Sequence, residues 1–248
     1  MTNTIQELFN RKSVRVFEKK AIPEEDVRLI LESACQAPSA GNQQFYSIIR
    51  ITDQVIKEKL AGSCDHQLFI KDAPLVLLFV ADPQKWYDFF LEAGAAPRVP
   101  GPGEILISIE DTMISAQNAV VAAESLGIGS CYIGDILENV EYHRELLSLP
   151  EYTVPIGMLV FGYPTEQQKK REKPSRYRLS DIVMENKYVR KTGEEYRKMF
   201  AEKFPGEDYD RWMKKFCDFK WNSDFSVEMS RSSDVYFKTF QGNSPERK

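Results

Sequence analysis

The apolar positions of this chain fall into short blocks that switch between a helical and a strand period. Residues 4–9 put Ile5, Leu8 and Phe9 on one side of a short helical turn. Residues 21–35 repeat Val27, Ile30, Leu31 and Ala34 at helical spacing, with Pro23 in the first turn and Glu24, Glu25 and Asp26 at the positive end of the dipole. The turn chemistry of 37–42 stops that helix. Residues 45–51 are β-branched and aromatic and read as a strand, after which Thr52 caps a helix to about 61. The wholly apolar run 73–81 predicts a buried central strand. A helix over 82–94 carries Trp86, Tyr87, Phe89 and Phe90, and the prolines of 97–103 mark a loop. The longest helical pattern, 104–126, aligns Ile109, Met113, Ala116, Val120 and Ala123 in one buried stripe and is closed by Gly127. Strands over 130–133 and 154–161 enclose a helix over 139–149. Such alternation predicts a layered α/β or α+β domain.

Beyond about residue 165 the chain turns polar, basic at first and then rich in aromatics. Trp212, Phe216, Phe219, Trp221 and Phe225 are too many rings for a free extension and call for burial against a partner or the core. The net charge of −4 and a pI of about 5.5 argue against nucleic-acid binding. The first residues are too polar for a signal peptide, and the run 73–81 is too short for a membrane span. Cys35, Cys64, Cys131 and Cys217 lie far apart, and only His66 and His143 could join them, so no metal site is expected. Free thiols point to the cytoplasm.

Four segments carry chemistry. Arg11-Lys12-Ser13-Val14-Arg15 offers three cations and a hydroxyl within five residues, suited to a phosphate or to a solvated turn. Pro38 to Gln44 packs amides and a hydroxyl into one turn, which either bonds the edge of a planar heterocycle or only ends a helix. The glycines of 127–134 follow a helix and precede a strand, the reverse of a dinucleotide fingerprint. They permit either close approach to a ligand or a tight turn. A second basic cluster, 169–178, could close on the same phosphate or serve as a charged linker. Arg190, Lys191, Arg197, Lys198 and Lys203 could meet a 2′-phosphate or line a solvated helix face.

The order of these segments is more specific than any one of them. The chain resembles the nitroreductase-like family of FMN-dependent oxidoreductases over nearly its whole length, and most of all the larger branch of NADPH nitroreductases and flavin reductases. The resemblance rests on Arg11-Lys12-Ser13-Val14-Arg15-Val16-Phe17, on Ala37-Pro38-Ser39-Ala40-Gly41-Asn42-Gln43-Gln44, and on Gln67-Leu68-Phe69 with Ala73-Pro74. It also rests on the helix ending in Gly127-Ile128-Gly129 before Tyr132-Ile133-Gly134, and on Lys173-Pro174-Ser175-Arg176. Ser175 is an extra residue in the last motif, which leaves Arg176 and Arg178 as contenders for one role, and Phe45 stands where the family has a proline.

The resemblance implies an α+β fold in which helices flank a central mixed β-sheet. It implies one domain over 1–248, whose extension from about 165 wraps a homodimer partner. FMN would bind at the dimer interface, held at its phosphate by Arg11, Lys12, Ser13, Lys173 and Arg176. Arg15 would reach the pyrimidine end of the ring, Gln67 its edge, and Tyr132, Ile133 and Gly134 the opposite side. Ser39, Asn42 and Gln44 would come from the other subunit. The implied activity is ping-pong hydride transfer from NAD(P)H through FMN to nitroaromatics, quinones or flavins, with no catalytic side chain. The alternatives are an FMN-binding protein without turnover and a specialised reductase or dehalogenase.

Overall fold

The computed structural model describes residues 2–241. The chain forms two compact units, one running through Arg171 and resuming at Glu228, the other spanning Glu172–Val227. The first unit is built on four strands, β1 (Tyr46–Arg50), β2 (Leu75–Ala81), β3 (Gly129–Ile133) and β4 (Val154–Gly162). They lie in the order β1-β2-β4-β3, and every ladder is antiparallel. The α+β class therefore holds, while the mixed sheet is reduced to one parallel bridge, Ser13 to Ser130.

β2 is buried at all seven positions because both faces of the sheet are covered. Alternation along the strand divides its side chains. Leu75, Leu77 and Phe79 pack with Val27, Ile30 and Ala34 of α2 (Glu24–Cys35) and with Ala116, Ala119, Val120 and Ala123 of the long central helix. Val76, Leu78 and Val80 face Leu60 and Ala61 of α3 (Gln54–Ser63) and Ile70 of α4 (Phe69–Asp72). α1 (Asn3–Asn10), α5 (Gln84–Glu92), α6 (Pro102–Ser125), α7 (Val140–Leu147) and α8 (Glu166–Lys170) complete this part of the chain. α9 (Leu179–Ile182), α10 (Gly193–Lys203) and α11 (Tyr209–Lys220) belong to the second unit, and α12 (Asp224–Thr239) follows.

Three local expectations are corrected. Pro23 is the N-cap of α2 rather than part of its first turn. α3 is capped by Asp53, not Thr52, since the Asp53 carboxylate takes the N–H groups of Val55 and Ile56. In α6 the expected stripe is buried at Ala116, Val120 and Ala123, but Met113 is exposed and Ile109 only half-buried. The front half of α6 instead turns Ile105, Ser108, Asp111, Thr112 and Ser115 inward and leaves Leu106, Ile107, Met113 and Ile114 outside. The inward hydroxyls are all satisfied: Ser108 and Thr112 donate within the helix to the carbonyls of Glu104 and Ser108, and Ser115 donates across to that of Ala34 in α2. Gly127, at φ +72°, closes α6 as expected, and Ile128 returns its N–H to the Ala123 carbonyl.

In the second unit, Trp212 packs against Phe204 at 4.7 Å and stacks on Phe216 at 4.6 Å. Phe219 and Trp221 remain outside this cluster, Trp221 with 79% of its surface exposed.

Candidate functional site

The segment after α1 runs along the free edge of β3. Val14 donates its N–H to the Ser130 carbonyl at 2.9 Å and is itself buried. Gly129 makes this approach possible, because a Cβ there would stand 2.6 Å from a Val14 methyl. One glycine of the 127–134 stretch thus serves close packing, whereas a Cβ on Gly134 would meet no atom within 4 Å.

With Val14 turned inward, Arg11, Ser13 and Arg15 gather around Cys131. Burial pushes the Cys131 thiol up, against the charges of Arg15 and Arg11. Burial likewise pushes Tyr132 up to about 12, again opposed by Arg11. Among the described residues, Arg11 Nε is buried without a hydrogen-bond partner. A buried guanidinium nitrogen with an unused donor is suited to an anion. Lys12 turns the other way and donates to the carbonyls of Lys169 and Arg171, and Arg171 donates to that of Ser13. The Arg15 N–H meets Gln168 Oε1 at 3.4 Å.

Gln67 follows two left-handed residues, Asp65 and His66, and its Nε2 bonds Asp135 Oδ2 at 2.9 Å. That contact brings it to the chain leaving β3 through Ile133 and Gly134.

Ser39, Asn42 and Gln44 lie elsewhere, in the loop that enters β1. Its shape is set by Asp111 of α6, 3% exposed, whose two oxygens take the N–H groups of Ala40 at 2.9 Å and Phe45 at 3.2 Å. Ser39 Oγ accepts from the Gln44 N–H, and Gln44 Nε2 donates to the Cys35 carbonyl. Asn42 and Gln44 are left-handed, at φ +56° and +50°. β1 and β3 are opposite edges of the sheet. Three strand spacings of about 4.8 Å, roughly 14 Å, separate these edges.

Beside this loop, α5 and the start of α6 enclose a pocket of about 330 Å³ walled by Phe45, Trp86, Tyr87 and Phe90. The Trp86 indole donates to the Gln43 carbonyl at 2.7 Å, and Arg98 forks onto Glu104 at 2.9 and 2.6 Å. Arg178 is ion-paired with Asp181 and Glu202, whereas Arg176 donates to the Pro174 carbonyl at 3.4 Å. Lys173 is half-buried. Of the cations considered for a 2′-phosphate, Arg197 is paired with Asp210 and Lys203 sits 3.8 Å over the Tyr177 ring.

The nitroreductase family model matches residues 8–163, well over half of the chain and including both the 11–15 segment and the loop that enters β1. The chain belongs to the nitroreductase family. Among curated relatives, the oxygen-insensitive NADPH nitroreductase of Salmonella typhimurium is 32% identical over 76% of this chain and 75% of its own. An FMN reductase (NADPH) of Bacillus subtilis is 29% identical over 69% and 70%. Among solved structures, NfrA2 of B. megaterium superposes with a TM-score of 0.77 at 27% identity, covering 94% of this chain and 98% of its own.

Within this nitroreductase fold two acidic residues escaped sequence reasoning. Asp111 falls between the apolar positions of a long helical pattern, beside Glu110, and nothing local in the sequence marks it as buried. Glu138 is likewise unmarked. It is 6% exposed, its Oε1 lacks a partner among the described residues, and burial, reinforced by Asp135, Asp65 and Glu228, pushes its carboxyl up to about 7. The folded state then keeps a proton that an ordinary carboxyl loses near 4.5. The associated stability is fully present below about 4.5 and is lost as pH rises through 7. At about 1.4 kcal/mol per unit between 4.5 and about 7, the loss is at most about 3.5 kcal/mol. Glu138→Gln is expected to melt higher than the parent at pH 8 and with it at pH 5. Glu141 and Glu228, held near 2 by Arg231, titrate below that window. Equal melting temperatures at pH 8 would contradict the assignment. His143, fully buried, has its pKa lowered by burial, and its ring nitrogens bond Ser63 Oγ at 2.8 Å and the Ile136 carbonyl at 3.0 Å.

Proposed function

We propose that two copies of this chain build two FMN sites between them. One copy supplies Arg11, Ser13, Arg15, Gln67, Tyr132, Ile133 and Gly134, and the other supplies Ser39, Asn42 and Gln44. Lys173 and Arg176 close on the phosphate, and Lys12 contributes by tethering the 169–171 segment beside it. The activity is that of an NAD(P)H-dependent oxidoreductase with FMN as cofactor, as the names of its nitroreductase and FMN reductase relatives state for those proteins. Bound FMN would supply the hydride chemistry, by a ping-pong route from reduced nicotinamide to nitroaromatics, quinones or flavins. Arg11 and Ser13 bind the anion, Arg15 offsets negative charge on the ring, and the aromatic pocket beside Gln43 admits flat acceptors.

One observation carries this reading: the two residue groups stand at opposite edges of one sheet. A second copy can bring them together, and the outward face of α6, with Leu106, Ile107, Met113 and Ile114, is the apolar surface such a copy would cover. We take 1–248 as one functional domain. Its segment from about 165 serves as an arm for the partner, presenting Leu179, Ile182, Val183, Phe219 and Trp221. The free cysteines, two of them exposed, suit the cytoplasm, and no helix among the described residues is long and apolar enough to cross a membrane.

Mixed dimers test the shared site. Arg15→Ala and Asn42→Trp, each expected to impair both sites of its own homodimer, are co-expressed with different tags and the heterodimer is isolated. Sites built across copies leave one of the two intact, so about half of the parental FMN and activity returns. Sites contained within one copy carry one lesion each and recover nothing.

A further inference from the structure

Gln67 has one side-chain amide, and both of its hydrogens are in use. Nε2 donates to the Cys64 carbonyl at 3.0 Å and to Asp135 Oδ2 at 2.9 Å. A carbonyl and a carboxylate are acceptors only. Turning the amide over would set Oε1 against both of them, so its orientation is chosen by chemistry rather than by packing. Oε1 is the atom these bonds leave over. Asp135 follows Gly134, the glycine whose side faces open space.

We infer that Asp135 is a positioning residue that makes Gln67 a pure hydrogen-bond acceptor toward FMN, so that the site reads an N–H of the ring rather than a ring carbonyl. The inference rests on Gln67 belonging to the FMN site. The oxidised ring carries one N–H, at N3, and that is the group the acceptor requires. Without Asp135 the amide is held by the Cys64 carbonyl alone and can swing its N–H groups toward the ring carbonyls. The selectivity for N3–H then disappears even where overall affinity partly survives.

The test uses FMN and 3-methyl-FMN, which lacks that donor, titrated by fluorescence into the apoprotein of the parent, Asp135→Ala, Asp135→Asn and Arg15→Ala. The parent is expected to prefer FMN by about tenfold, the worth of one hydrogen bond left unmade in a closed site. Asp135→Ala brings the ratio close to one, and Asp135→Asn, which keeps a carbonyl acceptor, restores most of it. A purely structural role would lower both affinities and leave the ratio alone. Equal affinities of the parent for the two flavins overturn the inference without any variant, and so does a ratio that survives Asp135→Ala. If Arg15→Ala weakens FMN while the ratio ignores Asp135, only this inference fails. If neither substitution touches FMN binding, the site assignment itself fails.

Discussion

Arg15→Ala is expected to weaken FMN binding and slow its reduction by NADPH, where Lys169→Ala changes neither. Arg15 is exposed, its backbone is held by Gln168 and by the neighbouring Val14–Ser130 bond, and its side chain acts on Cys131. Arg11 and Ser13 share its surroundings at Cys131, which places two cations and a hydroxyl in one locality. Removing a charge aimed at developing negative charge costs about 2–4 kcal/mol in the transition state, roughly 30- to 1,000-fold in rate. Lys169 lies in the other basic cluster, and its ammonium is taken by Glu166 at 2.7 Å and Glu18 at 3.5 Å on the surface. Exposed pairs of that kind contribute about 1 kcal/mol or less. Fluorescence titration of FMN and stopped-flow reduction read both quantities. Equal losses from the two substitutions would put the site elsewhere.

How much of this was legible in the sequence depended on whether a signal was local. β2 was clear, since nine consecutive apolar residues admit few other readings, and Gly127 was clear because a glycine after the last periodic residue is a common left-handed close of a helix. The cap of α3 fell to Asp53 over Thr52 because one residue of register decides which side chain reaches the free N–H groups. The sheet's direction was hidden, since antiparallel pairing of β4 with both β2 and β3 is a long-range fact. The front of α6 misled for a different reason. Its apolar side chains keep a helical period, but the face they form is the outer one, and periodicity alone does not say which of two faces meets the core. The order of motifs made the family legible, and the family model matches the same segments as far as residue 163. The placement of the proposed FMN residues at opposite sheet edges, the spending of Lys12 on two carbonyls and the grip of Asp135 on Gln67 all depend on tertiary contacts.

Asp111→Ala is expected to lower stability by about 2–4 kcal/mol and to release the loop that carries Ser39, Asn42 and Gln44. The Asp111 carboxylate is the sole connection between α6 and the N–H groups of Ala40 and Phe45 in the hydrogen bonds described, with one oxygen for each. The Phe45 N–H is buried, and leaving it unpaired costs about 1–3 kcal/mol. The loop between these anchors holds two non-glycine residues in the left-handed region, a strain of order 1 kcal/mol each that persists only while both ends are fixed. Asp111→Asn separates this account from loss of volume. Asparagine fills the same space but offers one acceptor and one donor, so one backbone N–H would face an NH₂ group. The asparagine variant should therefore be nearly as unstable as alanine, with a melting temperature lower by roughly 4–15 °C. Limited proteolysis should cut both variants within 38–45, where the parent is protected. FMN affinity should fall in step, because the loop's amides are then no longer presented to the neighbouring copy. An asparagine variant as stable as the parent would show that Asp111 supports the loop by packing and not by accepting two backbone hydrogens.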